Sequence, residues 1–505
     1  MKNDLPRMRV GVIGAGPIGL AAAAHLIERG FEPVVFEAGR SVASHFESYR
    51  HVQLFSPWRY NVDPAARRLL FARGWKPPVD EELPTAGAMI DRYLAPLARL
   101  AAIASTLRLS HRVTSVSREG FDKAKSKGRE DAPFVVRCET PGGTAEFKVW
   151  AILDASGTWG KPNPLGANGL PAIGEKEVAS RIAYGMPDIL GTQRSRYAGK
   201  RVLVAGAGHS AAGSLLALAK LADEVPATEL LWTLRGSNFA RIFGGGENDG
   251  LAARGALGKR LQALAQSGRL KVEADFRTVA IRGTAGGLVV DGTGVDGSTR
   301  SIQGVDEIVV AAGGRPDLSV SSELRVKLDP WIESTEQLAP LIDPNLHSCG
   351  TVRPHGHREL AHPEARFYMV GAKSYGRAPN FLLATGHEQV RSVVAALAGD
   401  FVAADDVQLE LPETGVCSTQ FDEASAGCCS NEPAEAIAVK TSSCGASICG
   451  TAPVKTPDPI QATSATKSSC CGGAPLKRED ACCVADEIAK DAGAAGCASK
   501  QRIGA

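Results

Sequence analysis

The sequence lacks a large excess of charge of either sign. Its 505 residues include 57 basic and 55 acidic side chains, for a formal net charge of +2. This balance excludes a strongly cationic protein that binds nucleic acid by neutralising phosphates. No apolar run reaches the ~18–20 residues of a membrane-spanning helix, and the N-terminus has no secretory signal. We therefore expect a cytoplasmic protein that binds neither nucleic acid nor membrane.

Cysteine is scarce in the first 400 residues, where only Cys138 and Cys349 occur, and ten of the 12 cysteines lie between Cys417 and Cys497. The segment 401–505 is rich in Ala, Ser, Thr, Gly and Pro, and carries 14 acidic and 8 basic residues. Such a segment buries too little apolar surface to offset its ordering entropy. We predict a folded body to about residue 400, followed by a largely disordered, cysteine-bearing tail.

The N-terminal region has the pattern of a dinucleotide-binding unit. A β-branched run leads into a glycine-rich turn, an Ala-rich helix follows, and a second strand ends at Glu37, 18 residues after Gly19. Such turns use one glycine for the tight bend, one for close phosphate approach and one for helix packing. The helix N-terminus attracts phosphate and the acid binds a ribose. The predicted cofactor-binding residues are Gly14, Gly16, Pro17, Gly19 and Glu37.

A second unit of this kind begins near residue 201. Gly206, Gly208 and Ala211 fit the pattern G-x-G-x-x-A, with Ser210 at the start of the following helix. The next strand ends at Arg235, at the place where the first unit has an acid. A cation there suits a 2′-phosphate, which predicts NADPH rather than NADH. The alternative is an ordinary solvated arginine at a strand end.

Two small-residue segments resemble the domain crossovers of flavin-containing monooxygenases and thioredoxin-reductase-like enzymes. They are Asp154-Ala-Ser-Gly157 and Ala311-Ala-Gly313-Gly314-Arg-Pro316. The resemblance implies an α/β fold with two Rossmann-like dinucleotide-binding domains, in which FAD binds at the first glycine turn and NADPH at the second. It also implies that Gly157 and Gly313 lie at the cofactors. The domain boundaries implied are FAD-binding 1–165 and 305–400, an inserted NAD(P)H-binding 166–304, and the tail 401–505.

Two motifs of these families are missing. The histidine-containing fingerprint of flavin-containing monooxygenases does not occur in the segment 181–191, which precedes the second glycine turn. The body has no C-x-x-C pair, so it lacks the dithiol of thioredoxin reductase. The chain is thus similar to both groups without having the full motif set of either.

A histidine-rich segment, residues 347–362, contains four histidines and Cys349. Histidine beside a thiol lowers its pKa and makes thiolate available. Cys349 with His355 or His357 is therefore predicted as a redox or soft-metal pair, and these three are the candidate catalytic residues. The alternative is a Pro/Gly-rich loop whose histidines only form hydrogen bonds.

The strand, glycine turn and helix that follow also carry a resemblance. In related flavoproteins this unit closes over the flavin, which implies that Gly371, Lys373 and Ser374 lie near it. The helix is predicted from about residue 385 to 397.

The tail carries vicinal cysteine pairs that do not have zinc-finger spacing. Adjacent thiolates suit soft, thiophilic ions such as trivalent arsenic or antimony, while copper(I) and mercury stay open. Incidental thiols in a low-complexity segment are the alternative. The predicted metal-binding residues are Cys428, Cys429, Cys470, Cys471, Cys482, Cys483 and Cys497.

The tail also resembles a known group. Cys-Cys-Gly-Gly and Ala-Cys-Cys-Val-Ala-Asp-Glu, on a body with Ser374-Tyr-Gly-Arg-Ala-Pro379, are similar to flavoproteins of arsenic-resistance operons. The resemblance implies metalloid detoxification. The predicted function is an FAD- and NAD(P)H-dependent, monooxygenase-like oxidoreductase acting on a small molecule or a metalloid captured by the tail. The alternatives are a thiol or metal reductase with a thiol partner, and a metallochaperone or sensor without catalysis.

Overall fold

The structure is a computed structural model that describes residues 8–244, 249, 251–347 and 352–409. Cys349 and the cysteines of the tail lie outside these residues. Within the described part, no helix is long and apolar enough to cross a membrane.

The strands and helices of the described residues are as follows. The strands are β1 (Arg9–Ile13), β2 (Glu32–Phe36), β3 (Leu107–Arg108), β4 (Arg112–Arg118), β5 (Phe134–Thr140), β6 (Gly143–Val149), β7 (Ala151–Asp154), β8 (Ile182–Tyr184), β9 (Arg201–Ala205), β10 (Glu229–Thr233), β11 (Leu270–Glu273), β12 (Arg277–Thr284), β13 (Gly287–Thr293), β14 (Thr299–Val305), β15 (Glu307–Val310) and β16 (Phe367–Met369). The helices are α1 (Pro17–Glu28), α2 (Ser44–Glu47), α3 (Trp58–Asn61), α4 (Pro64–Phe71), α5 (Ala86–Met89), α6 (Ala95–Arg99), α7 (Ala101–Ala104), α8 (Arg194–Tyr197), α9 (His209–Glu224), α10 (Phe239–Phe243), α11 (Ala252–Gln266), α12 (Ala339–Ile342), α13 (Leu383–Leu397) and α14 (Phe401–Asp405).

The first sheet is parallel, with the strand order β16-β7-β1-β2-β3. Its central strands are short β-branched runs that are buried almost throughout, as expected for a parallel sheet covered on both faces. Helices α1 and α13 pack against each other beside this sheet. Because parallel strands point the same way, the segments that follow β1, β7 and β16 meet at one edge of the sheet.

The second sheet is also parallel, with the order β11-β10-β9-β15-β8. Helix α9 packs on it with Leu215, Leu218 and Leu221, which share one face of the helix. This sheet lies between β7 and β16 in the sequence, so the second Rossmann-like unit is inserted in the first. The predicted α/β fold with two dinucleotide-binding units is confirmed.

Two elements differ from the predicted domain boundaries. The strand β15 belongs to the second sheet because it pairs with β8 and β9, although residues 305–400 were assigned to the FAD-binding part. The helix α14 lies in the segment predicted as tail. It is capped by Asp400, whose carboxylate accepts a hydrogen bond from Ala403 N, and it packs against α13. The described fold therefore includes α14.

Two three-stranded antiparallel sheets complete the described body. They have the orders β4-β5-β6 and β12-β13-β14, and each precedes the strand that leads to a crossover. Cys138, on β5, is buried, and its burial raises the pKa of the thiol to about 11. It is therefore protonated and unreactive at neutral pH.

Candidate functional site

The first glycine turn connects β1 to α1 and has no room for side chains at two positions. Gly14 has a φ of +95°, and a Cβ atom on it would lie 2.9 Å from the carbonyl oxygen of Ala155. A Cβ atom on Gly19 would lie 1.8 Å from the carbonyl oxygen of Gly14. Gly16, in contrast, has no atom within 4 Å of its Cβ position, and no side chain caps α1. The turn thus presents open space and helix N–H groups, which suits a diphosphate.

Glu37 follows β2 and is bound to the first turn. Its carboxylate accepts hydrogen bonds from Ala15 N at 2.9 Å, Gly39 N at 2.8 Å and Ser44 Oγ at 2.7 Å. Glu37 is buried, so these three donors satisfy a carboxylate that burial would otherwise make costly. The predicted ribose-binding acid therefore stands beside the glycine turn.

The second glycine turn connects β9 to α9 in the same way. A Cβ atom on Gly206, whose φ is +141°, would lie 2.3 Å from the carbonyl oxygen of Ala311. Gly208 has open space at its Cβ position, and no side chain caps α9. A cavity of about 490 Å³ opens at this turn. Its lining includes Gly206, Gly208, Ser210, Arg235 and Gly313, all predicted to bind the cofactor.

The lining of this cavity is basic and includes a residue from the first unit. Arg235 contributes its guanidinium, whose Nη1 lies 3.4 Å from Ala167 O. Arg254, Arg315 and Arg377 line the same cavity, and Arg377 follows β16 of the first sheet. Guanidinium groups bind phosphate oxygens well, so this lining suits an anionic dinucleotide. The cavity therefore extends from the second glycine turn to the first unit.

His209, the first residue of α9, also lines this cavity. Its burial, together with the nearby charge of Arg254, lowers the pKa of its imidazole to about 4, so the ring is neutral at pH 7. The ring of Phe55, from the first unit, packs on it at a centroid distance of 5.0 Å. This contact connects the first unit to the start of α9, and the sequence did not predict it.

The two crossovers lie side by side. Pro162 forms a β-bridge with Gly314, and the side-chain amide of Asn163 donates to Ala312 O at 2.9 Å. Gly157 and Gly313 both have positive φ, at 70° and 79°, which favours glycine at these bends. The resemblance placed these glycines where the chain passes between the domains, and the structure has them there.

A buried ion pair stands next to the first glycine turn. The Nζ atom of Lys373 lies 2.6 Å from Asp154 Oδ2 and donates to Ser156 Oγ at 3.0 Å. Both charged side chains are buried. Asp154 is the last residue of β7 and Ser156 follows that strand beside Gly14, so the ammonium is held at the edge where the phosphates are expected. The sequence singled out Lys373 but missed its partner, Asp154, which is 219 residues away.

A second buried network holds the turn after β16. Gly371 N donates to Gln389 Oε1 at 2.7 Å, and Gln389 Nε2 donates to Ser374 Oγ at 2.9 Å. Gln389 Nε2 also lies 3.0 Å from His355 Nε2. Because the amide nitrogen is the donor, His355 Nε2 accepts, and its Nδ1 carries the proton that bonds Arg353 O. Burial lowers the pKa of His355, in agreement with a neutral ring. The sequence missed Gln389, which has no local signal.

The two candidate catalytic histidines that the structure describes, His355 and His357, make different contacts. His355 belongs to the network of Gln389, whereas His357 Nε2 lies 2.9 Å from Asp405 Oδ1 and packs on Phe401. These contacts favour positioning roles for both rings. The third candidate, Cys349, lies outside the described residues, so the catalytic assignment of these residues stays a prediction.

No group of three or more His, Cys, Asp or Glu side chains in the described part of the chain is arranged to hold a metal ion. The predicted metal-binding cysteines of the tail lie outside that part, and their role stays a prediction.

The two glycine turns lie on separate parallel sheets, and the two crossovers connect these sheets side by side. This arrangement defines a flavoprotein oxidoreductase with two dinucleotide sites. The chain belongs to the pyridine nucleotide-disulphide oxidoreductase family, which it matches over residues 12–350. It is an FAD-dependent oxidoreductase that uses a pyridine nucleotide, as predicted. The role of Arg235 in selecting NADPH stays a prediction.

Several solved structures have the same fold. The bacillithiol disulfide reductases of Bacillus cereus and Staphylococcus aureus are 18% and 16% identical to this chain, and both comparisons have a TM-score of 0.56. The ornithine hydroxylase of Pseudomonas aeruginosa is 14% identical, with a TM-score of 0.53. Each comparison covers 78% of this chain and 99% of the other. At these identities the likeness concerns the fold alone. A comparison with curated protein sequences gives no match.

Proposed function

We propose that this chain is a monooxygenase-like oxidoreductase that uses NADPH and dioxygen to oxidise a trivalent metalloid such as arsenite. The body carries the redox site, and the vicinal cysteines of the tail capture the metalloid. In this reaction one atom of dioxygen is transferred to the metalloid and the other leaves as water, with two electrons from NADPH. The observation that carries the proposal is the pairing of two phosphate cradles with a body that has no dithiol.

The chain's own residues bind and orient the two cofactors. Gly14, Gly16 and Gly19 accommodate FAD, while the ion pair of Lys373 and Asp154 places an ammonium group beside the turn. When both cofactors are bound, they supply hydride transfer from the nicotinamide to the flavin. The network of Gln389 fixes the backbone at Gly371, so that this turn does not have to be ordered during the reaction.

The distribution of thiols supports dioxygen as the acceptor. Cys138 and Cys349 are the only cysteines before Cys417, and Cys138 is buried with a pKa of about 11. A relay through a pair of thiols within the body would need two reactive cysteines close together. The body sequence does not provide such a pair.

The second candidate is an NADPH-dependent reductase of thiols or of a metal bound to the tail. It is favoured by the family to which the chain belongs and by the fold shared with bacillithiol disulfide reductases. In this reaction the electrons pass to a disulfide or to the bound ion, and dioxygen is not consumed. A thiol partner or the tail itself supplies the acceptor.

One experiment separates the two functions. The purified protein is reduced with NADPH under anaerobic conditions. Dioxygen, arsenite, or both together are then added while flavin reoxidation and arsenate are followed, and separate anaerobic samples receive arsenate or a disulfide. We expect arsenate to form only when both are present, in step with NADPH consumption. A matched variant in which Cys470, Cys471, Cys482 and Cys483 are replaced by Ser is expected to keep NADPH-dependent flavin reduction and lose arsenate formation.

Two other outcomes contradict the proposal. Reoxidation by arsenate or by a disulfide without dioxygen identifies the reductase. Binding of arsenite without any NADPH consumption identifies a chaperone or sensor.

A further inference from the structure

A second cavity, of about 530 Å³, lies away from both glycine turns. We call it the α1–α13 pocket, and define it by a floor of His25, Asp63 and His387 and a rim of Arg29, Arg59, Arg68 and Arg391. His25 lies nine residues beyond Gly16, the residue that precedes α1, which is about 14 Å along the helix. The pocket is therefore at the opposite end of α1 from the first phosphate cradle.

The floor of the pocket contains a ring nitrogen without a partner. Asp63 is fully buried and accepts hydrogen bonds from Ala66 N at 2.9 Å and His25 Nε2 at 3.0 Å. His387 is 5% exposed, lines the cavity, and has no hydrogen-bond partner at Nε2. Buried polar atoms in proteins are nearly always paired. The unpaired ring nitrogen of His387 therefore belongs to a residue of the cavity wall.

The rim supplies guanidinium groups with donors to spare. Arg29 gives one hydrogen bond to Asp400, Arg59 pairs with Glu81, and Arg68 gives two to Glu28. Each guanidinium has five N–H donors, so these acids use only part of them. The acids that pair with Arg29 and Arg59 do not line the pocket. Its lining holds four arginines and three carboxylates, which are Glu28, Asp63 and Glu388.

The fourth arginine, Arg391, is held in place by hydrogen bonds to the protein. Arg391 donates to both carboxylate oxygens of Glu388, at 2.8 and 2.7 Å, and also contacts the carbonyl oxygens of Ala403 and Asp406. Its donors are thus committed to the protein. The arginines that remain for a ligand are Arg29, Arg59 and Arg68, which come from three separate helical segments.

We propose that the α1–α13 pocket is a second ligand site, which binds a phosphate group, free or as a monoester. Arg29, Arg59 and Arg68 contact the outer phosphate oxygens, and His387 Nε2 donates to the innermost oxygen. A phosphate fits better than a carboxylate because several oxygens and two negative charges match guanidinium groups approaching from three sides. Asp63 accepts hydrogen bonds from His25 and from the N–H of Ala66, which satisfy its buried carboxylate.

The test uses the full chain saturated with FAD and NADP⁺, so that both glycine turns are filled and cannot bind the probe. Inorganic phosphate is titrated in by calorimetry, and the ring nitrogens of the histidines are followed by NMR. We expect one phosphate per chain and a shift of the His387 ring signals. Arg59→Ala and His387→Gln are each expected to weaken phosphate binding at least tenfold.

A matched control is Arg137→Ala, which removes an exposed, ion-paired arginine on β5 that does not line the pocket. It is expected to leave phosphate affinity unchanged. If His387→Gln does not fold, Arg59→Ala and the His387 NMR shift of the unsubstituted chain decide the matter. Absence of phosphate binding to the saturated chain, or binding that Arg59→Ala does not weaken, overturns the proposal.

Two further probes test the ligand chemistry. Acetate that binds as tightly as phosphate contradicts the choice of phosphate over carboxylate. Glycerol 2-phosphate distinguishes the sources: tighter binding than inorganic phosphate identifies a phosphate monoester, and weaker binding identifies free phosphate. The visible flavin spectrum, recorded before the titration, shows separately whether the chain has bound FAD.

Discussion

At the scale of single residues, the first glycine turn depends on positions that have no side chain. Two alanine substitutions in this turn distinguish an effect on packing from an effect on FAD binding. In Gly19→Ala the new Cβ meets a backbone oxygen at 1.8 Å, so the turn must distort. We expect destabilisation by about 1–3 kcal/mol, as for other overpacked sites, and loss of FAD. Thermal unfolding of the apoprotein and the FAD content of the purified protein measure both effects.

Gly16→Ala is the matched control for this change. Its Cβ has no neighbour within 4 Å, so the apoprotein is expected to keep its Tm. FAD affinity is expected to fall because the methyl group occupies the space of the diphosphate. A Gly19→Ala protein with the Tm and FAD content of the unsubstituted chain contradicts the proposed packing.

Arg235 gives a residue-scale prediction about the choice of nicotinamide cofactor. Removing a charged partner of a phosphate costs about 1.5–3 kcal/mol, so Arg235→Ala is expected to raise the KM for NADPH ~10-fold or more. The KM for NADH, which lacks the 2′-phosphate, is expected to stay the same. Steady-state kinetics with both cofactors measure this, with Arg269→Ala, an exposed arginine paired with Asp223, as the control. Equal rises in the KM values for NADPH and NADH contradict the predicted contact between Arg235 and the 2′-phosphate.

Where the signal in the sequence is local, the structure brings the predicted residues together, and their role in binding the cofactor stays a prediction. Gly14, Gly19 and Glu37 belong to one strand–turn–helix–strand unit, and the turn imposes their types through steric contact. The pair of Asp154 and Lys373 carries no such signal, because the two residues meet only when β7 and β16 become neighbours in the sheet. The floor of the α1–α13 pocket escaped the sequence analysis for the same reason.

At the scale of elements, Glu364 joins the sheet of β4 to two loops. Its carboxylate binds Arg118 at 2.8 Å, Arg129 at 2.8 Å and Arg325 N at 2.9 Å. Burial alone would raise the pKa of Glu364, but the hydrogen bonds from Arg129, Arg325 N and Arg118 outweigh it and lower the pKa below its usual value of 4.5.

This lowered pKa predicts how stability depends on pH. A carboxyl whose folded pKa is depressed stabilises the fold above the unfolded pKa, near pH 4.5, and loses this effect as the pH falls through the folded value. Glu364→Gln is expected to cost about 3 kcal/mol at pH 7, because two buried arginines lose their counter-charge. Glu364→Gln is also expected to make the free energy of unfolding depend less on pH below about pH 4.5.

Urea unfolding between pH 3 and 7 measures this effect. Glu146→Gln, at an exposed pair with Arg137, is the control and is expected to cost about 0–1 kcal/mol. Equal losses of stability in the two variants contradict the structural role of Glu364.

Helix α13 gives a second prediction at this scale. Gln389→Leu keeps a side chain of similar size but replaces the amide with apolar atoms, which removes the bonds to Gly371, Ser374 and His355. The turn after β16 is then held less firmly, so we expect faster FAD release. The His355 ring is expected to lose its fixed tautomer, which NMR of its ring nitrogens detects. Unchanged FAD release together with unchanged His355 signals contradicts the positioning role of Gln389.

At the scale of the whole molecule, the repeated local pattern predicted two Rossmann-like units. The insertion of one unit in the other was implied by the family resemblance that the small-residue crossovers carry. The resemblance placed the return to the first unit before β15, since a β-branched run does not show which sheet it will join. Only the pairing of β15 with β8 and β9 assigns this strand to the second sheet.

The central claim is that one chain binds FAD at its first glycine turn and NADPH at its second, so that hydride passes from NADPH to the flavin. The most direct measurement is an anaerobic titration of the purified chain with NADPH, followed by the visible absorbance of the flavin. We expect a yellow protein with one FAD per chain, bleached by about one equivalent of NADPH. A colourless chain that does not take up added FAD, or a yellow chain that NADPH leaves oxidised, contradicts the account.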